Sequence, residues 1–191
     1  MLSGNPVETD QAEYRVAVLL SAYGNSPFLR CQLESIRNAL TPDDILIVVD
    51  DGSGLVVWEA FTDWPTHYLC WSRLKGLGSA RSFWELLLNV PARARYYCWA
   101  DQDDIWHTDK LQRQIATFTA WPDTLACVHG WRSLRQDSDD AWAVDHIQTP
   151  IIQRSPAHYC FETPAPGMTL CITEMGRRFL YGQDSSLCEG L

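Results

Sequence analysis

The sequence predicts an α/β domain built on a mostly parallel sheet flanked by helices. Three observations carry that reading. Apolar runs at 14–21, 44–49 and 95–100 are continuous rather than alternating, as strands buried on both faces are. Stretches with helical apolar spacing lie between them. The runs end in short polar turns, and ligands in such sheets bind beyond the carboxyl ends of the strands. The chain's 191 residues suit one domain with a substantial core. Its 46% hydrophobic and 20% charged residues belong to a folded globule rather than a disordered chain.

The elements follow in order. YRVAVLLS, from Tyr14 to Ser21, is the first strand. The turn Ala22-Tyr23-Gly24-Asn25-Ser26-Pro27 follows, with Ser26 read as N-cap and Pro27 as the first helical residue. Phe28, Cys31, Leu33, Ile36 and Leu40 recur near helical spacing and stop before Thr41-Pro42. DILIVV, from Asp44 to Val49, is the second strand, stopped by Asp50-Asp51-Gly52-Ser53-Gly54. Val56 to Thr62 is a short helix, and Thr66 to Cys70 a third strand. Lys75 to Val90 opens Gly-rich and turns helical through Phe83, Trp84, Leu87 and Leu88 until Pro91 ends it. RYYCWA, from Arg95 to Ala100, is the fourth strand and ends in Asp101-Gln102-Asp103-Asp104. Asp109 to Phe118 is a helix, and Leu125 to His129 a fifth short strand. Gln136 to Gln148 is polar and acidic and reads as an exposed loop. Pro164 to Pro166 marks a turn before a strand over 167–172, and Thr173 to Leu180 is the last helix. The domain therefore spans 14–180, between a disordered tail at 1–13 and a loose tail at 181–191.

Charge and composition limit the partners. Fifteen Lys and Arg against 24 Asp and Glu give a net charge of −9, which argues against a general nucleic-acid binder. No run of 18 apolar residues offers a membrane span, and Met1 to Gln11 lacks the basic and apolar regions of a signal peptide. The seven cysteines are scattered with no C-x-x-C pair, which reads as reduced core thiols in a cytoplasmic protein rather than a zinc site. The nine tryptophans read mainly as core or half-buried packing residues.

Two carboxylate clusters carry the chemistry. Asp101-Gln102-Asp103 follows a buried strand, where adjacent carboxylates repel unless donors or a cation compensate. Hard oxygen ligands suit Mg²⁺ or Mn²⁺, which then hold substrate phosphates. Taken alone, the set is more often a capped turn than a metal site, and Asp50-Asp51-Gly52-Ser53 more often a common Asp-Gly turn. Both clusters at strand ends, after an opening strand that ends in Ser-Ala-Tyr, point to a ligand site.

At VAVLLSAYGNSPFLRCQLESI (16–36), ILIVVDDGS (45–53), GLGSARSFWELL (76–87) and ADQDDIWHTDKL (100–111) the chain resembles the family 2 inverting glycosyltransferases of the GT-A fold. Within them it is most similar to the rhamnosyltransferase-like bacterial group. The resemblance runs from about Val16 to Leu180 and is thin after Gln136. It implies a metal-dependent transfer of a sugar from a dTDP- or UDP-activated donor, dTDP-rhamnose first, to a saccharide or lipid-linked acceptor in bacterial surface polysaccharide synthesis. It also implies roles by position. Ser21 and Tyr23 line the base pocket, Tyr23 by stacking; Asp51 accepts the imide N–H of uracil or thymine, with Asp50 supporting the turn. Asp101 lies by the ribose or the metal-bound diphosphate and is counted with Asp103 as a metal residue, Asp103 binding Mn²⁺ or Mg²⁺ directly. Lys75 or Arg81 meets a phosphate, and Asp104, Trp106 and His129 stand behind the site or face the acceptor. An inverting transfer needs a base at the acceptor hydroxyl, and an imide reader distinguishes uracil or thymine from cytosine.

Two departures from the family pattern stand out. The relatives place a catalytic base in an acidic motif beyond the strand at 167–172, followed by a helix; here Asp184 is the acid near that place, seven residues before the end of the sequence. Asp184 is the candidate base, and the domain reads as C-terminally incomplete. Where relatives carry Ser-Asp after the fifth strand, this chain has His129-Gly130-Trp131. A lipid-linked acceptor would bring the protein to a membrane surface. The competing reading is a nucleotide-sugar-binding domain without turnover, catalytically impaired or truncated. A nucleotidyltransferase ranks last, since Ala22-Tyr23-Gly24-Asn25 has no basic residue.

Overall fold

A computed structural model describes residues 14–54, 64, 66–136, 142–149 and 167–182. The elements are β1 (Tyr14–Ala22), α1 (Leu29–Ala39), β2 (Ile45–Asp50), β3 (His67–Ser72), α2 (Ser79–Leu88), β4 (Ala94–Ala100), α3 (Lys110–Ala120) and β5 (Ala126–Cys127). After them come β6 (Trp131–Gln136), β7 (Trp142–Gln148), a 3-10 turn (Gly167–Thr169), β8 (Cys171–Thr173) and α4 (Glu174–Tyr181).

Six strands form one sheet in the order β3-β2-β1-β4-β8-β5. β1 lies parallel to β2 and β4, and β2 parallel to β3. β8 runs antiparallel to both β4 and β5. Alternation along β1 explains its unbroken apolar run. Val16, Val18 and Leu20 face one way, onto Leu29, Leu33 and Ile36 of α1 and Leu111 and Phe118 of α3. Ala17 and Leu19 face the other way, onto Phe83, Leu86 and Leu87 of α2. With both faces covered, no position in the middle of β1 or β2 can be polar.

The predicted architecture holds, and several local readings are corrected. α1 begins at Leu29, two residues later than expected, with Phe28 at its N-cap; Ser26 still organises the entry, its Oγ accepting from Phe28 N and its carbonyl from Leu29 N, both at 3.3 Å. The Gly-rich segment before α2 is loop up to Gly78. Of the exposed loop expected at 136–148, Gln136 and 142–148 belong instead to a two-stranded ribbon, β6 paired with β7, while 137–141 lie outside the described residues; β7 is exposed as expected. The ribbon's apolar Leu134, Val144 and Ile147 remain exposed, so polar composition hid a strand pairing rather than a loop. The fifth strand shortens to two residues, and 167–169 is a 3-10 turn ahead of a three-residue strand. Of the cysteines expected in the core, Cys98 and Cys171 are buried, but Cys31 and Cys70 are exposed, Cys31 on α1 and Cys70 on the edge strand β3. Trp106 is buried, whereas Trp121 and Trp142 are exposed. The helix read at 56–62 and Asp184 lie outside the described residues.

α4 is fastened to the sheet at its first turn. Thr173 Oγ1 accepts from Gly176 N at 3.0 Å, a side-chain N-cap. Glu174 accepts from Tyr97 Oη at 2.8 Å, Arg177 Nε at 2.8 Å and Arg178 Nε at 2.9 Å. Burial pushes Glu174 up, but those bonds outweigh it and hold the carboxyl at about 2.

Candidate functional site

A cleft of about 630 Å³ opens beyond the carboxyl ends of β1, β2 and β4. Ser21, Tyr23, Asp51, Gly52, Gly76, Gly78, Ser79, Asp101, Gln102 and Asp103 line it. Chain segments far apart in sequence meet here because parallel strands bring all their C-terminal turns to one edge.

The two acids that end β2 do different work. Asp50 is fully buried; its Oδ1 accepts from Ser53 N at 3.0 Å and Ser53 Oγ at 2.6 Å, and its Oδ2 from Gly54 N at 2.8 Å. Burial raises its pKa, but these bonds win and hold it below the usual carboxylate range. Asp50 thus shapes the turn and does not line the cleft. Asp51 does line it. Its Oδ1 accepts from Arg73 Nη1 at 2.8 Å, and its Oδ2 from Leu77 N at 3.0 Å and Gly78 N at 2.8 Å. One side chain therefore ties the β2 turn to the loop that enters α2.

That loop lies against the β2 turn backbone to backbone. A Cβ on Gly76 would stand 2.5 Å from Asp51 O, and one on Gly52 would stand 2.3 Å from Gly76 N. Gly52 also has φ +85°, a conformation that disfavours a side chain. These glycines are required by close approach.

A second network links β1 to α2. Ser21 Oγ and Ser82 Oγ lie 2.7 Å apart, and Arg73 Nη1 donates to Ser82 Oγ at 2.6 Å. Gln102, between the two predicted metal ligands, holds the β1 turn. Its Oε1 accepts from Tyr23 N at 2.8 Å and its Nε2 donates to Tyr23 O at 3.1 Å. The Tyr23 ring stays 63% exposed at the cleft, free to receive a flat ligand.

Asp101 and Asp103 both line the cleft, Asp101 half-buried and Asp103 exposed. Burial raises the Asp101 pKa, repulsion from Asp103 adds to this, and the Met168 backbone N–H opposes both. Among the described residues no three His, Cys, Asp or Glu side chains converge as a metal cage. Two carboxylates in an open cleft nonetheless suit Mg²⁺ or Mn²⁺, because such ions keep waters and take further oxygens from substrate phosphates. The repulsion between Asp101 and Asp103 is what a divalent cation would relieve, so the donor set fits such an ion.

The remaining predicted residues stand elsewhere. Lys75 is exposed, Arg81 leans on Glu85 at 3.4 Å, and neither lines the cleft. Trp106 is buried in the core behind the acidic turn, with its backbone N–H donating to Ser35 Oγ at 2.9 Å, its indole Nε1 buried without a partner, and Lys110 Nζ 4.2 Å from its ring centroid. Asp104 sits behind the cleft with a buried Oδ2 that has no hydrogen-bond partner. Burial and the charges of Asp101 and Asp103 push it to about 7, against the pull of Lys110. His129 also lies off the cleft, its Nδ1 2.7 Å from Gly130 O and its Nε2 buried without a partner. Burial and the Lys110 charge lower its pKa.

Arg73, Ser82 and Gln102 were missed in the sequence. Arg73 directly follows the end of β3, and the rule that strand ends gather the site could have flagged it. Ser82 sits on the buried stripe of α2, where a polar residue needs a partner.

No curated protein sequence matches this chain. Among solved structures, S. aureus TarS 1-349 superposes with a TM-score of 0.48 at 17% identity, over 56% of this chain and 32% of that one. The same TarS fragment in complex with UDP-GlcNAc gives 0.48 at 18%, over 56% and 31%. The chain thus spans about a third of the length of these structures. Among the described residues no helix is long and apolar enough to cross a membrane. The sequence model of Glycosyl transferase family 2 matches residues 17–181, from the first buried strand through the last helix, and the chain belongs to that family, with its GT-A sheet.

Proposed function

We propose that this domain binds a uridine or thymidine diphosphate sugar with Mn²⁺ or Mg²⁺ and transfers the sugar, with inversion, to a saccharide acceptor. The observation that carries this reading is the meeting of Tyr23, Asp51, Asp101 and Asp103 in one cleft at the strand ends. Tyr23 offers an exposed ring for a base. Asp51 Oδ1 accepts one described bond, from Arg73, which leaves room for an imide N–H. Asp101 and Asp103 would hold the cation, whose charge would offset that developing on the departing diphosphate. dTDP-rhamnose is the first donor to test, and bacterial surface polysaccharide the acceptor class.

Calorimetry tests the binding half. UDP and dTDP should bind more tightly than CDP and GDP, and only with Mn²⁺ or Mg²⁺ present. Asp103→Asn should weaken binding strongly, because a charged ligand oxygen becomes a neutral amide. Equal affinity in EDTA would remove the metal from the proposal. Equal affinity for all four nucleotides would move the base pocket away from Asp51.

A further inference from the structure

The cysteines that look scattered in the sequence form a row in the fold. Cys98 of β4 opposes Cys171 of β8, and Cys127 of β5 opposes the same Cys171 from the other side. Opposed residues on antiparallel strands have Cα atoms about 4.5–5.5 Å apart, inside the span of about 4.4–6.8 Å that a disulfide needs. All three side chains point to the face that carries α1 and α3. Cys98 Sγ and Cys171 Sγ lie 2.8 Å apart. Buried Lys110, donating to Gln114 Oε1 at 3.1 Å, brings a cation to this row.

The members of the row are not equivalent. Cys98 and Cys171 are fully buried, whereas Cys127 is partly open to solvent on the short edge strand. A hydrogen bond from the Cys171 thiol and the Lys110 charge favour the Cys127 thiolate against its partial burial. Burial and its two sulfur neighbours keep Cys171 a thiol. Accessibility and thiolate character together select the sulfur that an oxidant meets first.

We propose that this row is a peroxide-sensitive thiol centre in which Cys127 is the attacking sulfur and Cys171 the resolving one, with Cys98 as a second partner for Cys171. The Cys127 thiolate attacks one peroxide oxygen and the O–O bond breaks. Hydroxide leaves and takes up a proton from solvent as the first water, and Cys127 becomes a sulfenic acid. Cys171 sulfur then displaces the sulfenic hydroxyl, which leaves with the Cys171 thiol proton as the second water. Two electrons pass from the two sulfurs to one peroxide, and a Cys127–Cys171 disulfide remains. Cys98 can exchange onto it at Cys171, its thiol proton passing to the released Cys127.

The test is stoichiometric hydrogen peroxide on the full chain, followed by alkylation and peptide mapping by mass spectrometry. Two thiols should disappear per chain, with Cys171 linked to Cys127 or, after exchange, to Cys98, and dithiothreitol should restore both. Cys127→Ser should slow thiol loss at least tenfold, and Cys171→Ser should leave Cys127 as a sulfenic acid that a second equivalent of peroxide carries to the sulfinic acid. Oxidation confined to Cys31, Cys70, Cys160 or Cys188 in the unmutated chain would overturn the proposal, without relying on any variant to fold. An unchanged rate in Cys127→Ser would overturn it as well.

Discussion

Replacing Asp51 by Asn keeps the shape of the side chain and removes its charge. The carboxylate, only 5% exposed, accepts three hydrogen bonds, one of them from an Arg73 that is itself 15% exposed. An amide has one oxygen and one NH₂ group. Turned one way, the NH₂ faces the N–H groups of Leu77 and Gly78; turned the other, it faces Arg73. The second loses fewer bonds, and it sets a mostly buried guanidinium beside another donor, leaving Arg73 with Ser82 Oγ at 2.6 Å and Glu85 at 3.8 Å. A lost hydrogen bond to a charged group costs about 1.5–3 kcal/mol, and the two bonds that remain weaken without the charge. The total comes to about 3 kcal/mol. With a urea dependence of about 2 kcal/mol per molar, the unfolding midpoint should fall by about 1.5 M. Arg73→Met supplies the double-mutant cycle, and the pair should couple by about 2 kcal/mol, because each variant removes the same bond. A midpoint shift under about 0.3 M, or a coupling near zero, would refute the account of Asp51 as the tie between the β2 turn and the α2 loop. This stability result does not depend on what the cleft binds.

Gly76→Ala should unfold at lower denaturant by at least about 1 kcal/mol, read by the same urea titration, since its Cβ would meet Asp51 O at 2.5 Å. Glu174→Gln should cost about 2 kcal/mol at pH 7. Because the folded carboxyl titrates at about 2 against 4.5 unfolded, this contribution is present above pH 4.5 and fades as pH falls toward 2, so melts of the two proteins should converge at acid pH. In a product assay with dTDP-rhamnose and UDP-hexoses, donor binding should outrun transfer, and Asp184→Asn should lower whatever transfer remains. Transfer that survives Asp184→Asn would place the base elsewhere, with His129→Ala the next variant to assay.

The sheet was legible because burial on both faces writes itself as unbroken apolar sequence in β1 and β2. The acids that line the cleft were legible because acids at strand ends are few and their places follow from topology. What escaped was set by contacts across the chain. Nothing local marks Gln102 as a clamp; only the fold brings its amide to the Tyr23 backbone, 79 residues away in sequence. Trp106 sits two residues beyond the acidic turn, but its bond to Ser35 of α1 draws it into the core. The β6–β7 ribbon escaped because its strands pair with each other and bury little, so they carry none of the apolar continuity that exposed the central strands.

Asp50, Asp51, Asp101 and Asp103 share one residue type and one edge of the sheet, and hydrogen bonding separates their roles. Asp50 is saturated by its own turn and faces no ligand. A carboxylate so satisfied gains nothing from an ion or a base, and its work is to hold the Gly52 conformation that lets Gly76 approach. Asp51 is satisfied on one oxygen and retains acceptor capacity on the other, so it can both organise the loop and meet a donor group in the cleft. Asp101 has one backbone donor against burial and a neighbouring charge, and Asp103 faces the open cleft. Their unfavourable pairing persists because the fold holds both strand-end residues in place, and the proposed cation would relieve it. Reading which acids the protein already satisfies therefore sorts scaffold from ligand site more sharply than the D-D or D-x-D spacing does.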